Sequence, residues 1–278
     1  MPLYAGARFS LEPSPGSPNA PITIKPRRLP KKSGHYKTPP LPKKVLSRHL
    51  GPRDNSFMRK TIVIFSGGLD STTLLYWCRN QGHHVRALSI DYGQRHVREL
   101  TAARRIAGLA GVEHRVVDLT HLRPLLAGSS QTDDIPVPDG HYADATMAQT
   151  VVPNRNAIML AVAAAWAIST ESNTVAYAAH AGDHPVYWDC RPDFVRAQQE
   201  LYRLAKPSPI SIWAPFLGLT KTMIVTRAVE LHVPYEETYS CYRGDEIHCG
   251  SCGTCVERRE AFQLAGVPDP TVYRVVPE

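Results

Sequence analysis

No stretch of this 278-residue chain stays apolar for the roughly 18 residues that a membrane-spanning helix needs, so the sequence excludes a helical transmembrane protein. The first 57 residues contain no cysteine and no continuous apolar segment, which argues against a secretory leader, and their prolines interrupt any amphipathic transit helix. Nothing repeats at a fixed period. A basic globular body is missing too. Lys and Arg outnumber Asp and Glu by 32 to 25, but residues 1–57 hold 11 of those cations against two acids, together with 11 of the 24 prolines. The rest of the chain is near neutral, with 21 cations against 23 acids. Specific nucleic-acid domains usually carry a basic face, so nucleic acid is expected, if anywhere, only on the tail.

Residues 1–57 read as a disordered, basic, Pro-rich tail, because strings such as Thr38-Pro39-Pro40-Leu41-Pro42-Lys43-Lys44 cannot bury enough surface to offset chain entropy. Its cations attract phosphate; the plainer alternatives are a solvated arm or sequence upstream of a start at Met58. From Thr61 the pattern changes to short apolar runs alternating with amphipathic segments. Strands are expected at Thr61–Phe65, Val85–Asp91, Glu113–Asp118, Thr174–His180 and Ile210–Ala214. Helices are expected at Leu69–Asn80, Glu99–Ala110, Asn154–Ser169, Asp193–Leu204 and Lys221–Leu231. That alternation, with 43% apolar residues, predicts an α/β domain over 58–240: a doubly wound, Rossmann-like parallel sheet covered on both faces. Residues 127–153 form a long connection of the kind that usually serves function.

The string Ser66-Gly67-Gly68-Leu69-Asp70-Ser71-Thr72-Thr73 follows the first strand and opens a helix. Two glycines let backbone approach an anion, the helix start offers unpaired N–H groups, and the hydroxyls of Ser66, Ser71 and Thr72 add donors. With no Gly-Lys-Ser/Thr it is not a Walker A loop. Asp70 reads either as a Mg²⁺ ligand or as a carboxylate stabilising the helix start. Cys241, Cys249, Cys252 and Cys255 form a second motif, C-x7-C-x2-C-x2-C. Four thiolates at that spacing suit one Zn²⁺ per chain in a closed, structural knuckle that, with a helix packed on it, spans 241–265; an iron–sulfur cluster or two disulfides are the alternatives. Use of cysteine for metal points to a reducing, cytoplasmic setting. Residues 266–278 read as a C-terminal tail.

The loop Phe65 to Thr73 resembles the pyrophosphate loop of the N-type ATP pyrophosphatases. Taken with Asp91-Tyr92-Gly93-Gln94-Arg95-His96, Val152-Pro153-Asn154-Arg155-Asn156, Tyr187-Trp188-Asp189-Cys190-Arg191-Pro192 and the four cysteines, the chain resembles the QueC family of 7-cyano-7-deazaguanine synthases over about residues 59–265. The resemblance implies an adenine nucleotide alpha hydrolase-like fold and a carbon–nitrogen ligase. ATP adenylylates 7-carboxy-7-deazaguanine, ammonia gives the amide, and a second ATP drives loss of water to the nitrile, feeding queuosine synthesis. It further implies Mg²⁺, one zinc and a homodimer. No glutaminase domain fits beside this one, so ammonia is expected from solution.

By position, Phe65, Ser66, Gly67, Gly68, Leu69, Asp70, Ser71, Thr72, Thr73, Leu74 and Leu75 are expected to bind ATP. The catalytic candidates are Ser66, Asp70, Ser71, Arg155, Asp189 and Arg191, with Gln94, Arg95, Asp183 and Lys221 as further pocket candidates. Arg155 or Arg191 is expected to meet the substrate carboxylate or the α-phosphate, and Asp189 the aminopyrimidine edge. Cys190 reads as a packing residue, since adenylylation needs no covalent nucleophile. Trp188 stands where the family usually has proline and is expected to add bulk beside the base pocket. The alternatives are a related pyrophosphatase making a 7-deazapurine for DNA modification or a nucleoside antibiotic, and a zinc-containing nucleic-acid-binding module.

Overall fold

The computed structural model describes residues 59–142, 144–205 and 209–275; the tail expected over 1–57 lies outside them. Five strands, β1 (Lys60–Ile64), β2 (His84–Asp91), β3 (Glu113–Asp118), β4 (Thr174–Ala176) and β5 (Ser211–Trp213), pair in the order β3-β2-β1-β4-β5, and every pairing is parallel. Six α-helices accompany them among the described residues: α1 (Leu69–Asn80), α2 (Arg98–Ala110), α3 (Arg155–Ser169), α4 (Pro192–Arg203), α5 (Lys221–Glu230) and α6 (Gly253–Ala265).

Alternation along the strands builds two separate cores, because successive side chains leave opposite faces. Ile62, Leu88, Val175 and Ile212 join Leu160, Ala163 and Ala167 of α3 on one face. Val63, Ala87 and Ala176 join Leu74 and Leu75 of α1, Ile106 of α2 and Ile224 of α5 on the other. Both faces of β1 are therefore dry from Thr61 to Val63, which is why Ile62, Val63 and Ile64 run without polar alternation. From β1 the chain builds outward to β2 and β3 on one side and to β4 and β5 on the other. The strand order reverses at β1 and β4, which places a crevice at their carboxyl ends.

Boundaries agree within one residue for each of the ten predicted elements except β4, which ends at Ala176 rather than His180; α6 has no predicted bounds of its own. The apolar run continues, but its partners do not. β1 stops at Ile64, where the Gly-Gly turn begins. β5 stops at Trp213, and after Tyr177 N donates to Trp213 O at 3.1 Å the ladder is finished. Residues 177–180 are thereby released to line the crevice. The long connection is pinned rather than loose. Ser129, Ser130, Gln131 and Thr132 are buried, and Arg95 donates to Ser130 O at 3.2 Å and Asp133 O at 2.7 Å.

Gly67 is required twice over. Its φ is +82°, and a Cβ there would lie 2.5 Å from Ala103 N and 2.6 Å from Glu99 O, on the backbone of α2. Gly82 has a similar φ of +78° but open space around it. Gly67→Ala should therefore cost about 3 kcal/mol in denaturant unfolding, against about 1 kcal/mol for Gly82→Ala. Equal costs at the two positions would show that contact with α2 is unimportant.

Candidate active site

The turn between β1 and α1 is shaped by its own side chains. Gly68 N donates to Ser66 Oγ at 3.2 Å, Ser66 N to Ser71 Oγ at 3.2 Å, and Ser71 Oγ to Gly68 O at 3.2 Å. The first helical bond runs from Thr72 N to Gly68 O at 3.0 Å, so the amides of Leu69, Asp70 and Ser71 stand outside the helical ladder, free for an anion. Tyr239 N donates to Gly67 O at 3.1 Å and fastens the turn from across the crevice. Thr72 is fully buried and faces away from the cavity, as do Thr73, Leu74 and Leu75, whereas Ser66, Gly68, Leu69, Asp70 and Ser71 line it. Phe65 belongs to the core.

Beside the turn lies a compact charged cluster. Lys221, the first residue of α5, donates to Asp70 Oδ2 and sits 3.4 Å from Glu257 of α6. His180 accepts from Gly182 N on Nδ1 at 3.0 Å, which leaves Nε2–H facing Asp183 at 3.5 Å and Asp70 at 3.8 Å. Tyr142 OH donates to Asp183 Oδ1 at 3.1 Å. Burial alone would push the Asp70 carboxyl up, but Lys221 and His180 outweigh it and hold it below the ordinary carboxylate range. Burial raises the Glu257 carboxyl despite Lys221. Two carboxylates thus contact one ammonium, and Asp183 acts on it through space. Asp70 Oδ1 is buried without a partner, and Glu257 Oε2 has only the 3.4 Å ion pair with Lys221. An orphan carboxylate oxygen beside a second carboxylate and next to an anion cradle fits a hard divalent cation such as Mg²⁺.

Arg155 enters the same cavity, of about 220 Å³, from the start of α3. Asn154 before it adopts a left-handed φ of 56°, which turns the chain into the helix. Arg155 Nη1 donates to Tyr92 OH at 3.4 Å, and no carboxylate lies within 4.0 Å of the guanidinium among the described residues. A half-buried guanidinium with no carboxylate in contact is suited to receive an anion. Hydroxyls complete this wall: Thr150 Oγ1 lies 2.6 Å from Tyr187 OH, which lies 3.3 Å from Tyr242 OH.

Not every expected residue converges here. Asp189 accepts from Asn156 N at 3.1 Å and so secures the first turn of α3, outside the cavity wall. Arg191 is exposed, with Nε donating to His184 O at 2.9 Å. Arg95 serves the long connection, and Gln94 steadies Glu99. Trp188 is 47% exposed, packs edge-on against Phe194 at 5.3 Å, and does not border the cavity, contrary to the bulk expected beside the base pocket. Cys190 does border it, but burial pushes its thiol far up and Asn156 Nδ2 donates to the sulfur at 3.3 Å, which fits a packing role. Sequence reasoning missed Glu99, His180, Glu257 and Tyr242. Only the position of His180 after the fourth strand offered a signal.

The sulfurs of Cys241, Cys249, Cys252 and Cys255 all lie within 4.8 Å of one another, and all four cysteines are free and buried. Four thiolates about 2.3 Å from one ion stand about 3.8 Å apart, so the cluster fits a tetrahedral metal. Backbone amides support the sulfurs, with Cys249 N donating to Cys241 Sγ at 3.4 Å and Cys252 N to Cys249 Sγ at 3.3 Å. His248 is not part of the cluster; its Nε2 accepts from Ser240 N at 3.1 Å. The knuckle opens α6, which carries Thr254 and Glu257 to the cavity, and Tyr239, Ser240 and Tyr242 flank its first cysteine on the same wall. No helix among the described residues is long and apolar enough to cross a membrane.

The sequence model of the family described as "Queuosine biosynthesis protein QueC" matches residues 60–266. Curated relatives named 7-cyano-7-deazaguanine synthase match most of the chain. That from Rhizobium rhizogenes is 51% identical over 216 residues, covering 77% of this chain and 92% of its own. Those from Brucella anthropi and Pseudoalteromonas translucida are 50% and 45% identical, each covering 77% of this chain and 93% and 99% of their own length.

Proposed function

The chain belongs to the QueC family, and on that premise we propose that it converts 7-carboxy-7-deazaguanine and ammonia to 7-cyano-7-deazaguanine, with two ATP cleaved to AMP and diphosphate. The observation that carries this reading is the convergence on one cavity of an anion-binding turn and an unpaired guanidinium. The free amides of Leu69, Asp70 and Ser71 hold the departing diphosphate, and Lys221 supplies positive charge beside it. Asp70 and Glu257 would hold Mg²⁺, which when bound neutralises the leaving group. Arg155 neutralises the substrate carboxylate or the α-phosphate as the carboxylate oxygen attacks phosphorus. Ammonia then displaces AMP at the acyl carbon. The amide oxygen attacks a second ATP, and loss of AMP with two protons from nitrogen leaves the nitrile. No covalent enzyme intermediate is needed, in keeping with the protonated thiol of Cys190.

The same reading makes the four-cysteine metal zinc, one per chain, and the protein a cytoplasmic homodimer. Purified protein incubated with Mg²⁺-ATP, ammonium and 7-carboxy-7-deazaguanine should yield the nitrile by mass spectrometry, with AMP and diphosphate. Formation of ADP, or no AMP at all, would overturn it.

A further inference from the structure

The cavity wall carries, at the start of α2, a largely buried carboxylate that the chemistry above leaves unused. Glu99 lies in the first turn of α2, with its side chain 12% exposed. Its Oε1 accepts from Gln94 Nε2 at 3.0 Å and lies 3.4 Å from His96 Nε2. Gln94 is itself locked, with Nε2 also donating to Ile90 O at 3.2 Å and Oε1 accepting from Tyr92 N at 2.9 Å. Glu99 Oε2 has no donor among the described residues. No cation compensates the group by contact. Burial drives the His96 imidazole down to about 3, so it is neutral, and Arg155 acts only through space. A carboxylate held rigidly on one oxygen and left unfilled on the other, facing a cavity, is built to accept donors from a ligand.

We propose that Glu99 is a substrate-binding carboxylate whose free oxygen accepts from a paired-donor edge of a molecule in the cavity. This rests on the reading above, under which two such edges enter: N1–H with the 2-amino group of the deazaguanine, and the 2′- and 3′-hydroxyls of the ATP ribose. The recognition chemistry is shared, and binding measurements separate the sources.

The facing groups set a pH signature. Burial pushes the Glu99 carboxyl up to about 8; Gln94 and Arg155 pull it down, and Asp91 adds to the rise. The ionised form accepts donors, so affinity for the ligand it holds should improve as pH rises through about 8. Calorimetry on the full chain would compare wild type, Glu99→Gln and Glu99→Ala, with 7-carboxy-7-deazaguanine and with α,β-methylene-ATP. One Kd should rise about 10- to 100-fold in both variants while the other stays within about twofold, and the pH dependence of the affected Kd should vanish. A shift in the deazapurine arm assigns the base edge, and the variants should then cease to discriminate against its 2-deamino analogue. A shift in the ATP arm assigns the ribose, with a 2′,3′-dideoxy analogue as the matching probe. Two unchanged Kd values, or equal losses with a lowered melting temperature and no pH signature, would overturn the inference alone. Wild type that binds neither ligand would overturn the proposed function as well.

Discussion

Asp70→Asn should lower the rate of AMP formation by about 1,000-fold or more while the protein stays folded. The variant keeps the shape of the side chain and removes only its charge. Asp70 is the one carboxylate that belongs both to the cradle and to the charged cluster: its backbone amide points at the anion site, and its Oδ2 is engaged by Lys221 while Oδ1 has no partner. Losing the charge removes a cation ligand and frees Lys221 to turn toward Glu257, away from the leaving group. The stability cost should be about 2 kcal/mol, below that of an abandoned buried charge, because Glu257 still compensates the lysine. A carboxyl held below its unfolded value contributes stability above the ordinary carboxylate range and loses it as pH falls through the folded value. Wild type and Asp70→Asn should therefore converge in stability toward acid pH. Diphosphate release and circular dichroism melts check both halves. Turnover within tenfold of wild type would remove Asp70 from the chemistry.

The cradle was legible because its chemistry is contiguous: strand, Gly-Gly turn and helix start follow one another, and each step has a local physical cause. The same holds for β1 to α3, whose patterns of burial repeat at strand and helix periods. Convergence over distance is another matter. Glu257 reaches the cavity only because α6 is launched from the cysteine knuckle, and Glu99 only because Gly67 lets α2 pack directly on the turn. Neither has a sequence signal beyond being one acid among many on a helix. Conversely, Asp189 and Arg191 stood in a conspicuously polar string, yet one steadies the first turn of α3 and the other ties a loop carbonyl. Polar residues just before a helix often serve its unpaired amides, and sequence does not separate that duty from ligand binding.

Cys252→Ser should cost the metal first and the reaction with it. Four thiolates closed around one ion supply much of the folding energy of so small a knuckle, and a serine hydroxyl is a poor replacement for a thiolate. The knuckle does not stand apart from the chemistry. Cys252 is the N-cap of α6, Gly253 packs where a Cβ would meet Met147 Sδ at 2.6 Å, and Gly250 turns with φ +86° against Val275 O. A metal held by the four cysteines would, through α6, set Glu257 and, through Cys241, set Tyr239, whose amide holds Gly67 O at 3.1 Å. Loss of packing there and loss of chemistry are inseparable, because the wall that loosens is the wall of the cavity. Metal analysis should give one zinc per chain in wild type and well under half that in Cys252→Ser. AMP formation should fall about 100-fold or more, and unfolding should move to lower denaturant by about 3 kcal/mol. Full zinc occupancy in the variant would contradict the four-thiolate site. Lost zinc with normal turnover would show that α6 holds Glu257 in place without it.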